Sequence, residues 1–317
     1  MEGIMMKSPT GIAMAVRRAD GSIATDYKKY ESKAKKGTFL GWPIVRGVVT
    51  FVDSLTLGMT TMTDSAKLAG AGIEEEPTKF EKWLSEKLGK SVETIIVGLA
   101  AVLAVVMAVG LFFLLPTLIS SLIFGKLENV APILKSLAEG VIRLLIFLGY
   151  IILCACVKDV RRVFMYHGAE HKTIACYEAD DELTPENAMK HTRLHPRCGT
   201  NYMFLVMAIS ILIFAVVGAI DILDTNILLR VASRILLIPI VAGISYEVLM
   251  FAGKHDNILT RIIRAPGMGL QLITTKEPTP DMVEVAITAF NLAMNPESAV
   301  VADDAAAVED ASKIASE

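Results

Sequence analysis

The chain has 317 residues, of which 53% are hydrophobic and 21% charged, with a mean hydropathy of +0.51 and a formal net charge of −3. Its apolar residues are gathered in long runs, which excludes an ordinary soluble protein and predicts a mainly α, polytopic membrane protein. The near-neutral charge gives no footing for a nucleic-acid partner. Four cysteines, two of them inside an apolar run, do not make a disulfide framework.

Residues 1–91 read as a soluble or interfacial region. MEGIMMKSPTG lacks the apolar core of a signal peptide. Gly11 to Val16 and Ser22 to Thr25 suit the strands of a β-hairpin, because Asp20-Gly21 supplies the positive φ values of a tight turn. Tyr27 to Lys36 is a basic linker. Residues 43–71 are mixed: Arg46, Asp53 and many hydroxyl, Gly and Met residues make a poor spanning helix. They suit an amphipathic helix lying on a membrane or packed on a bundle, with re-entrant insertion as the alternative. Glu74-Glu75-Glu76-Pro77 breaks that pattern. Phe80, Trp83, Leu84 and Leu88, flanked by lysines, then form an interface anchor.

Four spans are expected after it, two in residues 92–157 and two in 202–252. Thr94 to about Leu115 carries no charge over the roughly 20 residues that crossing needs, and Pro116 to Phe124 continues apolar past a bend. Val141 to Val157 is the second span, with Glu139 and Arg143 placed i, i+4 to pair. Tyr202 to Ile220 is the third. Ile227 to about Met250 is the fourth, with Arg230 and Arg234 near one end and Glu247 near the other. Residues 1–91 hold 14 Lys and Arg, and residues 158–201 hold seven. The turn between the last two spans has none. Basic segments stay cytoplasmic, so a multi-pass cell-membrane protein with both termini and residues 158–201 in the cytoplasm is expected. Residues 253–296 read as a cytosolic helical region, in which Pro278-Thr279-Pro280-Asp281 opens a helix with Val283, Ile287 and Phe290 on one face. Residues 297–317, rich in Ala and acidic residues, read as a disordered tail. The N-terminal hairpin, residues 158–201 and residues 253–296 are each too short for a core of their own, so they should share one small α+β layer.

The chemistry gathers in residues 158–201, whose centre reads YHGAEHKTIACYEADDELTPENAMKHTRLHPRCGTN. Four of the five histidines lie there: His167, His171, His191 and His195. His167 and His171 are one helical turn apart, so both imidazoles face one way and can share a metal ion. Glu170 between them can serve as base or ligand, the H-x-x-E-H pattern of inverted zinc proteases. Thr184-Pro185-Glu186 starts a helix that would carry His191. His195 precedes Pro196, which disfavours helical geometry. Cys198 suits either a thiolate ligand or an inert thiol at the membrane edge. Glu247, a carboxylate inside a span, is a functional candidate by default. His255 lies two turns further on, within reach of the histidine loop, and Arg197 stands beside Cys198.

Together EGIMMKSP, AVRRADGSI, PIVRGVVTFVDSLTLG, YHGAEHKTIACYE, LHPRCGTNY and LITTKEPTPDMVEVAITA resemble the YqhQ-like family of bacterial and chloroplast membrane proteins, across residues 2 to about 292. That family is labelled a domain of unknown function and described as predicted metal-dependent enzymes. The resemblance implies core positions at His167, Glu170, His171, His195, Arg197 and Cys198, with His191 outside them. The family's Gly-Gly-Gln lead-in is absent here, which predicts a shortened N-terminal hairpin.

Two functions follow as expectations. One is a metal-dependent enzyme, a hydrolase with a cytosol-facing site acting on a lipid-linked or membrane-peptide substrate. There His167, His171 and either His195 or Cys198 hold a divalent metal, zinc first, and Glu170 is the catalytic group. The other is a non-enzymatic channel, transporter or assembly factor in which the same residues latch a loop to helix ends, and Lys172, Arg193 and Arg197 meet lipid phosphate. Expected partners are the bilayer, an anionic lipid or lipid-linked substrate, and further copies of the chain.

Overall fold

The computed structural model describes residues 2–35, 37–70, 92–124, 130–218 and 226–296. The acidic break, the aromatic anchor, most of the turn after Gly218 and the acidic tail lie outside the described residues. Three strands form an antiparallel meander: β1 (Gly3–Lys7), β2 (Gly11–Arg17) and β3 (Ile23–Lys29). The β2–β3 turn is the expected one. Gly21 takes a φ of 90°, and Asp20 accepts hydrogen bonds from the Ser22 amide and hydroxyl. β1 is an addition to the sequence reading. Its alternation is short and mostly of methionine, yet Ile4 and Met6 both turn inward.

A single helix, α1 (Val45–Leu68), fills most of residues 43–71. It packs along a later apolar helix, α8 (Ile227–Lys254), and against the sheet. The contact is close because it is made by glycines: a Cβ on Gly47 would sit 2.8 Å from the Gly243 Cα. Ile44, just before α1, has a φ of 68°, a costly conformation for a β-branched residue. Its amide donates to Glu247 Oε1 at 3.3 Å, and Arg46 binds both oxygens of that carboxylate at 2.7 and 2.5 Å. Two parallel charge-assisted bonds of this kind fix geometry as well as energy.

Among the described residues, four helices are long and apolar enough to cross a membrane, Gly98–Phe124, Pro132–Cys156, Gly199–Val217 and Ile227–Lys254. The first is not cut at Leu115. α2 (Val92–Val109) passes through a wide turn at Gly110–Leu114 into α3 (Leu115–Phe124). In a regular helix Pro116 would donate to the Phe112 carbonyl; it has no N–H, and Arg143 Nε donates there instead at 2.7 Å. The second helix, α4 (Pro132–Cys156), starts nine residues before Val141, with Pro132 in its first turn. Its polar start is explained by burial. Glu139 accepts from Thr117 at 2.7 Å and from Arg143 at 3.2 Å, and it also meets Arg234 of α8. The expected i, i+4 pair therefore exists inside a larger buried charge cluster.

α4 does not run on into the histidine region. Val157 is extended, and a separate helix, α5 (Lys158–Glu178), begins after it. The composition changes there from a predominantly apolar helix to a predominantly polar one, whose buried face packs on the sheet and on the C-terminal helix. α6 (Pro185–Ala188) opens as expected, with Thr184 accepting from the Asn187 amide. It ends before His191, which sits in irregular chain. α7 (Gly199–Val217) and α8 follow, then α9 (Ile258–Thr274) and α10 (Pro280–Met294), capped at Thr279.

One core joins Ile4, Met6, Ala13 and Ala15 of the sheet, Tyr166, Ala169 and Cys176 of α5, and Met282, Val283, Val285 and Ile287 of α10. Both ends of the described chain thus clasp the helix that carries His167 and His171. A second, smaller cluster of Phe147, Ile151 and Leu270 joins α4 to α9.

Candidate functional site

α5 presents His167, Glu170 and His171 toward the start of α7 because its other face is buried in the shared core. Gly168 lets the Thr274–Lys276 segment press directly on α5, and the Lys276 amide donates to the Phe164 carbonyl at 2.8 Å. That contact sets the first imidazole. His167 Nδ1 lies 2.9 Å from the Thr274 carbonyl, and His171 Nδ1 lies 2.6 Å from the Arg193 carbonyl. A carbonyl only accepts, so Nδ1 carries a proton in both rings and Nε2 is the nitrogen left free to meet a ligand. His167 Nε2 stands 3.2 Å from Cys198 Sγ. The two rings are 4.4 Å apart, centroid to centroid.

Cys198 caps α7, where the helix dipole favours a negative sulfur. Burial alone would raise its pKa. His171 beside it and the Thr200 hydroxyl, 3.3 Å from the sulfur, outweigh that and lower it. Glu170 is moved the other way: desolvation raises its pKa, and the nearby His167 offsets only part of this. Among the described residues its carboxyl has no hydrogen-bonding partner, so it is poised to exchange a proton.

His195 stands at the edge of this group, its ring 5.7 Å from that of His171. Burial lowers its pKa, and its Nε2 is buried without a hydrogen bond, with Glu178 Oε1 3.5 Å away. Its backbone is fixed by a residue that sequence reasoning missed. Gln271 accepts from the His195 amide at 2.8 Å and donates to its carbonyl at 2.9 Å. A buried glutamine in a helix has no motif of its own; the signal nearest to it was LITTKEP, which begins one residue later. Asn201, which donates to the Pro196 carbonyl at 2.6 Å, was missed in the same way.

The remaining candidates are elsewhere. His191 pairs with Asp181 at 2.7 Å. Glu247 is bound by Arg46, and His255 is exposed at the end of α8 with Nδ1 against the Phe251 carbonyl. Neither is among the residues that line the cavity at the histidine group. Arg197 is exposed and pairs with Glu178 at 2.5 Å. Lys172 is buried and donates to the Met189 and His191 carbonyls, while Arg193 donates to the Thr275 carbonyl. Of the three cations considered for lipid phosphate, only Arg197 faces outward.

The site opens on a cavity of about 900 Å³ that runs between α1, α4, α5, α7 and α8. His167, Glu170, His171, His195 and Cys198 line one end of it, and Arg143 lines another part of its wall.

His167, His171 and Cys198 each offer one ligand atom, and all three atoms lie within 4.8 Å of one another. Filled tetrahedral zinc sites hold such atoms at about 2.0–2.3 Å from the ion. The donor set therefore fits zinc after a small closure, and the backbone carbonyls behind both imidazoles are the outer contacts that metal-ligating histidines use. An arrangement like this can polarise water or a carbonyl, with Glu170 as the proton carrier.

No solved structure matches the chain. It is 34% identical over 298 residues to the uncharacterized protein YqhQ of Bacillus subtilis (strain 168), covering 92% of this chain and 89% of that one. Residues 42–296, which carry α1 and the whole histidine site, match the family described as "Protein of unknown function (DUF1385)". Nearly full-length likeness to one protein and a match across every element that builds the site give one conclusion: the chain belongs to the DUF1385 family.

Proposed function

We propose that this protein is a multi-pass cell-membrane protein with both termini and residues 158–201 in the cytoplasm, and that its site is a divalent-metal-dependent hydrolase acting on a lipid-linked or membrane-peptide substrate. The observation that carries the reading is the pair of imidazoles locked on Nδ1 by backbone carbonyls, with Nε2 turned toward Cys198 Sγ beside a desolvated Glu170. His167, His171 and Cys198 would hold the metal, zinc by donor type, and His195 is the nearest reserve ligand. Zinc, when bound, supplies the Lewis acidity that makes water reactive near neutral pH. Glu170 takes the proton from the attacking water and returns it to the leaving group, a role suited to a carboxyl whose pKa desolvation raises. Arg197 and Glu178 form a hydrated rim outside His195.

A non-enzymatic reading also has a specific observation behind it. The same two imidazoles tie α5 to the end of α9 and to the loop at Arg193, which is what a structural latch in a channel, transporter or assembly factor would do. Metal analysis of detergent-purified protein separates the two. The enzyme reading expects about one zinc per chain, as for a three-ligand site. His171→Ala should strip most of it, and Glu170→Gln should keep it while losing turnover. The latch reading expects both variants to loosen the fold with no change in metal. Wild-type protein without stoichiometric metal, and without thermal stabilisation by zinc, manganese or iron, would remove the hydrolase reading.

A further inference from the structure

The cavity beside the site is more specific than a general solvent cleft. Thr200 and Phe214 of α7 both line it. At 1.5 Å per residue this makes it about 20 Å long. Its two ends differ. The reactive groups collect at the cytosolic end, near the start of α7. Beyond them the wall is Phe51 and Leu55 of α1, Phe147 of α4, and Met203, Val206 and Met207 of α7.

Beyond Thr200 the polar side chains on that wall are Tyr202 and Ser210 of α7, Thr50 and Ser54 of α1 and Tyr246 of α8, and two of them are bound to backbone. Ser210 donates to the Met207 carbonyl at 2.7 Å, and Tyr202 donates to the Ala242 carbonyl at 3.2 Å. At the far end, the Arg143 guanidinium is held by the Phe112 carbonyl and Glu139 and lies over the rings of Phe113 and Phe214, at 5.5 and 5.1 Å. Arg143 is satisfied there and closes the cavity.

We propose that this cavity binds a single long hydrocarbon chain, acyl or isoprenyl, with the chain along α7 and the polar group at its head against Glu170 and Cys198. Three observations select this occupant. A peptide segment would bring a backbone N–H and C=O every residue, and a wall with so few polar side chains leaves most of them unpaired at a cost of several kcal/mol each. A hydrocarbon chain asks for no partners. The volume of about 900 Å³ holds roughly 30 water-sized groups at about 30 Å³ each, which suits one long chain with a small head and falls short of a diacyl lipid. The wall on α4, α7 and α8 also lies on helices long and apolar enough to cross a membrane, the setting in which a hydrocarbon chain is the ready occupant. The placement of the head at Glu170 rests on the hydrolase reading; the binding of the chain does not. Of the two substrate classes, the inference chooses the lipid-linked one.

The test uses full-length protein in detergent, with palmitate carrying a photoreactive diazirine at its terminal carbon. The label is expected on Met207, Phe113 and Phe214, with competition by unlabelled oleate or by geranylgeraniol. Whichever competitor acts at the lower concentration identifies the chain type. Met207→Trp should cut labelling about tenfold or more, because overpacking a filled site costs binding of that order. Val206→Trp, on the same wall, gives an independent second variant. The zinc content and melting temperature of each variant, measured on the same samples, show that it is folded. Labelling confined to outward residues such as Leu99 and Val102, labelling unchanged in both variants, or displacement by an apolar peptide and not by oleate would overturn the proposal. Specific labelling in a protein without metal would keep the chain site and discard the hydrolase. Metal without specific labelling would do the reverse.

Discussion

Gly168 is the position at which one methyl group should cost the most. It lies between His167 and Glu170, and a Cβ there would run into the Lys276 carbonyl oxygen, with the carbonyl carbon at 3.3 Å. These are backbone atoms of the neighbouring segment, so no side chain can swing aside. Gly168→Ala must push residues 274–276 off α5. Two hydrogen bonds go with them, Lys276 N–H to Phe164 and His167 Nδ1 to Thr274. These are worth about 1 kcal/mol each. Steric strain adds about 1–3 kcal/mol, and alanine's better helix propensity returns about 1 kcal/mol. The net loss is about 2–4 kcal/mol, a melting temperature in detergent lower by about 5–10 °C. Zinc affinity should fall in parallel, because the His167 ring loses its fixed tautomer. Gly269→Ala is the control: nothing lies within 4 Å of its would-be Cβ, so it should be neutral or slightly stabilising. If Gly168→Ala melts within about 1 °C of wild type and binds zinc equally well, the pressed segment does not orient the site.

Arg46→Ala and Glu247→Ala should each destabilise the protein, and the double variant should be no worse than either one. A coupling energy of about 1.5–3 kcal/mol in a double-mutant cycle fits their bidentate contact, and additive losses would deny it. Burial pushes the Glu2 carboxyl up, but the Arg162 guanidinium and Tyr166 hydroxyl outweigh it and hold it below the usual glutamate range. A depressed folded-state pKa gives stability that is present above the unfolded value and lost as pH falls through the folded one. The docking of β1 should therefore weaken below about pH 4.5, seen as rising mobility of a spin label at Ser8; Glu2→Gln should be loose at all pH values, and a wild-type label insensitive to acid would count against the clamp. Cys198 is buried and so a poor topology probe. A cysteine introduced at exposed Glu186, in a chain without other reactive thiols, should resist membrane-impermeant reagents in intact cells and react after lysis; reaction from outside would invert the proposed topology.

The parts legible in the sequence were those with a local cause. Asp20-Gly21 demands its turn, Thr184-Pro185 its helix start, and four apolar runs of sufficient length their helices. His167 and His171 announce one face through spacing alone. What escaped depends on contacts distant in sequence. Glu247 looked like a membrane carboxylate awaiting a role until α1 brought Arg46 to it. The start of α4 looked too polar to be part of an apolar helix until Arg234 arrived from α8 to meet Glu139. Spacing could not choose between His195 and Cys198 as third member of the histidine group. The fold brings Cys198 closer to the pair, with its sulfur 3.2 Å from His167 Nε2 and within 4.8 Å of a ring nitrogen of each histidine, while Gln271 holds the His195 backbone.

The clasp of α5 between the first strands and α10 bears on how the protein is made. The ribosome delivers β1 before, and residues 280–294 after, the four long apolar helices. Until α10 arrives, the sheet has no Val283 or Ile287 to pack on, and contacts this far apart in the chain are slow to close. The histidine helix is consequently seated only once α10 is made. The group of His167, His171 and Cys198 is thereby assembled only after the apolar helices are made, and a chain cut before α10 carries the motif without its fixed geometry.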